Sequence, residues 1–74
     1  MKTYKGMTRS QITEKIIDAR IAECKTNNEK KFSDGLPRMN ENREFWGKYL
    51  STLPLVSKKY PAFSLVGMYE AYYA

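Results

Sequence analysis

Two carboxylates are the residues of this sequence whose types and spacing come nearest to a catalytic or metal-binding pair. Glu14 and Asp18 are four residues apart, which places them on one face of a helix. Such a pair can hold a divalent metal or divide the roles of acid and base. Lys15 and Arg20 lie close by, and the sequence places no third carboxylate to complete a metal shell. We therefore expect Glu14 and Asp18 to be solvated surface charges.

The single cysteine, Cys24, is the only thiol nucleophile of the chain, and Lys25 follows it. A neighbouring cation lowers the pKa of a thiol. Cys24 falls near the end of a predicted helix, however, where the helix dipole disfavours a thiolate. The chain has no His to act as a base. The pattern predicts a small, partly buried, apolar Cys24.

Other chemical sites are excluded by residue counts and spacing. Without His and with one Cys, the chain can form neither a Ser-His-Asp triad, nor a zinc finger, nor an internal disulfide. Its four glycines are not spaced as in a phosphate-binding loop, and Gly35-Leu36-Pro37 lacks the Lys-Ser/Thr that should follow. We therefore expect no catalytic, cofactor-binding or metal-binding residues, and a protein that is not an enzyme.

Basic residues exceed acidic ones, 13 against 8, for a net charge of +5. A basic N-terminal arm and a Lys-Lys-Tyr sequence could contact nucleic-acid phosphates and bases. No predicted helix carries the strip of basic or amide residues that a recognition helix needs. Nucleic-acid binding is therefore an alternative function, with these candidate contacts: Lys2, Lys5, Arg9, Lys58, Lys59 and Tyr60.

Aromatic residues are the richest feature of the sequence. Eight of the ten lie after residue 44, and a chain of 74 residues rarely buries six Tyr and one Trp completely. Tyr, Trp and Arg dominate protein interfaces. The sequence therefore predicts a protein-binding module, an adaptor or an inhibitor or modulator of a larger protein, of the kind that phages and mobile elements often encode as accessory factors. The predicted partner-binding surface combines the loop over 30–39 with these residues: Arg43, Lys48, Tyr69, Tyr72 and Tyr73. A homodimer that closes the tyrosines against a second copy is another alternative.

Helices must position these residues, because no hairpin signature or strand-like run appears. We expect an all-α fold with a flexible basic arm over 1–9 and one helical domain over 10–74, of three to four short helices in orthogonal or bundle-like packing. The predicted helices cover 10–25, 41–53 and 65–73. Thr8 or Ser10 is the expected cap of the first, Asn40 or Asn42 of the second, and Ser64 of the last.

The connections between these helices are harder to assign. Residues 26–40 show no sustained period and are predicted to be a long loop, held to the core by apolar side chains at 32, 36 and 39. Pro54 ends the second helix or opens a short one through Tyr60. Gly47 inside the second helix suggests the close approach of another backbone.

The expected location is the cytoplasm. The chain begins Met1-Lys2-Thr3-Tyr4-Lys5-Gly6, with no apolar run after its basic start, and no segment approaches the roughly 20 apolar residues of a membrane span. A lone thiol fits a reducing compartment. We expect no membrane partner. Since neither a metal nor a disulfide can stabilise the chain, an apolar core, oligomerisation or a partner must do so.

Overall fold

The computed structural model describes residues 3–26, 30–32, 35–38 and 41–73. Three α-helices follow one another: α1 (Arg9–Thr26), α2 (Arg43–Ser51) and α3 (Leu65–Tyr73), with a 3₁₀ turn, Pro61–Phe63, directly before α3. Within the described ranges the chain has two isolated β-bridges and no strand. The expectation of an all-α fold of three to four short helices is confirmed.

The caps that the sequence predicts begin all three helices. Thr8 and Gln11 form a reciprocal capping box, in which the Thr8 N–H donates to Gln11 Oε1 at 2.8 Å and the Gln11 N–H donates to Thr8 Oγ1 at 3.3 Å. Asn42 caps α2 through its side-chain oxygen. Ser64 Oγ accepts the Gly67 N–H at 3.1 Å at the start of α3. Since Thr8 is the cap, α1 begins at Arg9.

Helix α1 lies against both α2 and α3 and supplies the centre of the core. It is antiparallel to α2, because Arg9 at its start contacts the end of α2 and Arg43 at the start of α2 contacts the middle of α1. The buried side chains come from all three helices and from the segment between α1 and α2. The core cluster consists of Ile12, Ile16, Ile17, Phe32, Trp46, Leu50, Leu65 and Met68.

Arg20 is part of this interior, although its charge predicts a position on the polar face of α1. Its residue surface is 1% exposed, and its guanidinium carbon lies 4.4, 5.1 and 5.8 Å from the ring centroids of Phe32, Trp46 and Tyr72. The reason is helical spacing, because Arg20 follows Ile16 by four residues and shares its buried strip. The three rings attract the cation and cover its alkyl chain.

The described residues between α1 and α2, 30–32 and 35–38, have regular backbone contacts where the sequence predicts a long irregular loop. Lys31 and Pro37 form a β-bridge, and the Phe32 N–H donates to the Leu36 carbonyl at 2.8 Å. Phe32 is buried in the core and Leu36 packs against it, as expected. Position 39, the third predicted attachment point, lies outside the described residues.

The N-terminal segment is not a free arm over residues 3–9. Tyr4 and Met7 exchange two backbone hydrogen bonds of 2.9 Å around a turn in which Lys5 and Gly6 have positive φ. The side chains of Tyr4 and Met7 pack against the core, whereas in a free arm they would remain in water. Arg9 already belongs to α1. The structure thus places residues 4–9 in contact with the helical domain that the sequence predicts to begin at residue 10. Met1 and Lys2 lie outside the described residues.

The connection from α2 to α3 contains no helix over 54–60, so the alternative of a helix opened by Pro54 is wrong. The chain instead reaches the 3₁₀ turn, and the Leu65 N–H donates to the Pro54 carbonyl at 3.0 Å. The close backbone approach predicted at Gly47 occurs at Gly67. A Cβ at Gly67 would overlap the Pro61 carbonyl oxygen, whereas one at Gly47 would meet only an Ile17 methyl group at 4.0 Å.

Candidate protein-binding surface

Three tyrosines from the two ends of the chain form one row. The ring centroids of Tyr4 and Tyr69 are 6.0 Å apart in an edge-to-face arrangement, and those of Tyr69 and Tyr73 are 5.1 Å apart with planes tilted by 30°. These separations are typical of attractive aromatic pairs. The N-terminal turn supplies the first ring and α3 the other two, so the row forms only when both pack together.

Tyr73 is exposed and yet fixed in position. Its surface is 47% exposed, while its hydroxyl donates to the Lys15 carbonyl at 3.0 Å and the Lys15 ammonium lies 5.6 Å from the ring centroid. Burial raises the pKa of the Tyr73 hydroxyl, and the negative charge of Asp18 and the neighbouring Tyr69 raise it further. The hydroxyl therefore keeps its proton at neutral pH and acts as a donor.

Next to this row, a shallow groove of about 350 Å³ lies between the N-terminal turn and the outer face of α1. Its lining is formed by Met7, Ser10, Gln11, Glu14 and Lys15, and its surface is mainly apolar. Lys15 belongs to both the groove and the Tyr73 contact, so the two features adjoin. We call the three tyrosines and the groove together the tyrosine face.

Arg43, a predicted partner-binding residue, forms ion pairs with both Glu14 and Asp18. The hydrogen bond to Asp18 is the main reason that the pKa of Arg43 is raised. The two carboxylates, which the sequence predicts to be solvated surface charges, thus hold a guanidinium at the edge of the tyrosine face. All three side chains are about half exposed or more, so the pairs stabilise the fold little.

The other predicted partner-binding residues lie away from this row. The Tyr72 ring faces the interior, beside Arg20. Lys48 is exposed on α2, where its ammonium is 3.9 Å from Glu44. The described part of the 30–39 loop contacts α1 through an ion pair of Arg38 with Glu23, about 12 Å along the helix from the groove. The structure therefore brings Tyr69, Tyr73 and Arg43 together and leaves the others apart.

The predicted nucleic-acid contacts likewise lie in different parts of the structure and do not form one surface. Arg9 has a structural position, because its guanidinium donates to backbone carbonyls at the end of α2, including Ser51 at 3.2 Å. The Lys5 ammonium lies 5.4 Å from the Tyr4 ring. The three predicted contacts at 58, 59 and 60 are exposed on the connection between α2 and α3. Lys2 lies outside the described residues.

Sequence reasoning missed Tyr4 and Met7, which complete the tyrosine face. A signal was present, because Lys5-Gly6 between two apolar residues is typical of a tight turn. It also missed Val56 and Phe63, two apolar side chains that the structure leaves exposed.

The chain matches no known family, no curated protein and no solved structure. Among the residues that the structure describes, no group of three acidic or cysteine side chains could hold a metal ion. Of the helices in those same ranges, none is long and apolar enough to cross a membrane. The geometry of the exposed surfaces is thus the basis for any functional proposal.

Proposed function

We propose that this chain is a small cytoplasmic protein that binds another protein through the tyrosine face, as an adaptor or as a modulator of a larger protein. The observation that carries the proposal is the row of Tyr4, Tyr69 and Tyr73 beside an open groove. Tyrosine supplies a large, rigid contact area with only two side-chain torsions to immobilise. A row of such rings is the kind of surface on which interface energy concentrates.

The contacts of Tyr73 support recognition because they fix the ring before a partner arrives. Its hydroxyl is bound to a carbonyl of α1 and its ring lies against Tyr69, while nearly half of its surface is exposed. A side chain that is already ordered loses less conformational entropy on binding. The adjoining groove offers a partner side chain a mainly apolar site with one hydroxyl, one amide and two charged groups at its edges.

The face is better suited to recognition than to reaction. Glu14 is the carboxylate of the groove, and Arg43 already holds it in an ion pair. The groove offers Ser10 as a hydroxyl, with a cation at Lys15 and a thioether at Met7. This set can orient a polar partner group through hydrogen bonds and charge.

Affinity capture from the source cell tests the proposal with a matched pair of variants. Tyr73→Ala removes an exposed ring from the tyrosine face, and Tyr60→Ala removes an exposed ring from the connection between α2 and α3. We expect the wild type and Tyr60→Ala to retain the same protein in stoichiometric amount. Tyr73→Ala should bind it at least about tenfold more weakly, since truncating a tyrosine that acts as an interface hot spot costs about 2 kcal/mol or more.

Thermal unfolding of each variant shows whether it is folded, so that lost binding is not confused with lost structure. Absence of a stoichiometric partner, or a loss caused by Tyr60→Ala and not by Tyr73→Ala, would refute the proposal. Sedimentation at micromolar concentration addresses the alternative of self-association. If the wild type is a dimer and Tyr73→Ala a monomer, the tyrosine face binds a second copy, and the proposal of a different protein as partner fails.

A further inference from the structure

A second exposed surface lies on the connection between α2 and α3. Val56, Tyr60 and Phe63 are 61%, 58% and 40% exposed, and Lys58 and Lys59 between them are exposed as well. We call these five residues the connector surface. Three large apolar side chains are thus exposed within eight residues of the chain, and exposed apolar residues that cluster are typical of a binding site.

The connector surface is positively charged. The sequence contains no Asp or Glu between Glu44 and Glu70, so no acidic side chain on the connection offsets its two lysines. The Lys59 ammonium lies 5.5 Å from the Tyr60 ring centroid, which places a cation beside an exposed aromatic ring. The chemistry that complements this pair is an anion attached to a flat apolar group.

Backbone hydrogen bonds hold the aromatic part of this surface in shape. The Tyr60 N–H donates to Ser57 Oγ at 3.1 Å, and the Phe63 N–H donates to the Tyr60 carbonyl at 2.9 Å. Tyr60 is the residue that precedes the 3₁₀ turn, and Phe63 is the last residue of that turn, three residues later. The segment is joined to α3 by the hydrogen bond from the Val66 N–H to the Leu55 carbonyl at 2.9 Å.

From this arrangement we infer that the connector surface binds single-stranded nucleic acid. Unpaired bases stack on Tyr60 and Phe63, and the phosphates between them contact Lys58 and Lys59. A duplex does not fit this mode, because its bases are already stacked and aromatic side chains reach only unpaired ones. Two exposed aromatic rings three residues apart, with a cation 5.5 Å from one of them, favour a strand of alternating bases and phosphates over an acidic peptide. The inference is independent of the proposed function, since it uses a different surface.

Fluorescence anisotropy with a labelled oligothymidylate of about 12 nucleotides tests the inference between about 50 and 200 mM salt. Tyr60→Ala should weaken binding about 5- to 150-fold, the loss expected when one stacked base is released. The double variant Lys58→Ala/Lys59→Ala should reduce the slope of log K against log salt by about 1.4, since each lysine accounts for about 0.7 on a single strand.

Two matched controls remove the same chemistry elsewhere. Lys30→Ala/Lys31→Ala removes two exposed adjacent lysines from the turn between α1 and α2, and Tyr73→Ala removes an exposed tyrosine from the tyrosine face. Both should leave affinity and salt slope near those of the wild type. Circular dichroism of all variants should be unchanged, because the substituted side chains are exposed.

Three results would overturn the inference. An equal-length duplex that binds as tightly as the single strand, with Tyr60→Ala unchanged, would leave only non-specific attraction of a basic protein for polyanions. If the two double lysine variants lost affinity and salt dependence to the same extent, only that non-specific attraction would likewise remain. A labelled polyglutamate peptide that binds more tightly than the oligonucleotide would assign the surface to an acidic protein.

Discussion

Replacing Gly67 with Ala probes the junction on which the connector surface depends. An added Cβ would overlap the Pro61 carbonyl oxygen, and it would lie 2.8 Å from the Pro61 carbonyl carbon and 3.1 Å from Ser64 Oγ. Ser64 Oγ is also the acceptor for the Gly67 N–H, and its own hydroxyl donates to the Pro61 carbonyl at 2.8 Å. The substitution therefore displaces the backbone at Pro61 and at the same time disturbs the Ser64 cap of α3.

The size of the effect follows from three contributions. Overpacking against backbone costs about 1–3 kcal/mol. Weakening the two hydrogen bonds of Ser64 costs about 1 kcal/mol each. Replacing a helical Gly with Ala returns about 1 kcal/mol of helix propensity. We therefore expect Gly67→Ala to lower the free energy of unfolding by about 2–4 kcal/mol.

Gly47→Ala is the matched control, because the same substitution in α2 meets only the Ile17 methyl group at 4.0 Å. That distance is ordinary van der Waals contact, so the gain in helix propensity is unopposed. We expect Gly47→Ala to raise the free energy of unfolding by about 0.5–1 kcal/mol.

Urea denaturation and thermal melting followed by circular dichroism measure both changes. In a domain of this size, a change of about 1 kcal/mol in the free energy of unfolding shifts the melting temperature by about 4–8 °C. Gly47→Ala should therefore melt a few degrees above the wild type, and Gly67→Ala at least about 10 °C below it. A Gly67→Ala protein as stable as the wild type would refute the packing of the 3₁₀ turn on α3. A Gly47→Ala protein that is destabilised would refute the open environment assigned to Gly47.

Three other perturbations test the core, the α1–α2 junction and the tyrosine row. Phe32→Ala removes a buried ring 5.4 Å from the Trp46 ring, so urea denaturation should show the free energy of unfolding lowered by about 3–5 kcal/mol. A decrease below about 1 kcal/mol would exclude Phe32 from the core. Arg9→Gln removes the cation bound to the carbonyls at the end of α2, so the same assay should show the free energy of unfolding lowered by about 1–2 kcal/mol. The affinity of this variant for single-stranded nucleic acid should be unchanged. Tyr73 has a raised pKa, so its contribution to stability is present below its unfolded pKa of about 10 and is lost as pH rises through the folded value. Unfolding measured from about pH 8 to 11 should show a steeper decline for the wild type than for Tyr73→Phe, and parallel curves would contradict that assignment.

The helices were predictable because their signals are local. Ser64 and the preceding Pro61 predict the start of α3, and the structure begins that helix at Leu65. Thr8 and Gln11 likewise locate the start of α1 to within one residue. A cap is recognised from neighbouring residues, so it needs no knowledge of the tertiary structure.

The position of Arg20 could not be predicted in the same way. A charged residue on an amphipathic helix is expected in water, and the burial of Arg20 depends on the aromatic rings of Phe32, of Trp46 in α2 and of Tyr72 in α3. Phe32, Trp46 and Tyr72 are far apart in sequence, and nothing local indicates that they meet. Long-range packing of this kind overrides the local pattern.

The candidate site was partly predictable for a related reason. Tyr69 and Tyr73 are four residues apart on α3, so their proximity follows from helical spacing alone. Tyr4 joins them only after the N-terminal turn has folded beside α3, which hydropathy does not reveal. Tyr72 was assigned to the same surface by composition, although its ring points to the interior beside Arg20.

Site-specific photo-crosslinking in the source cell tests the central claim, protein binding at the tyrosine face, most directly. A photoreactive amino acid at Ser10 lies in the groove of that face, and one at Ala62 lies on the exposed 3₁₀ turn as a control. We expect one crosslinked protein species of defined mass from Ser10 and none from Ala62. No protein crosslink from Ser10, or the same crosslinked protein from both positions, would contradict it.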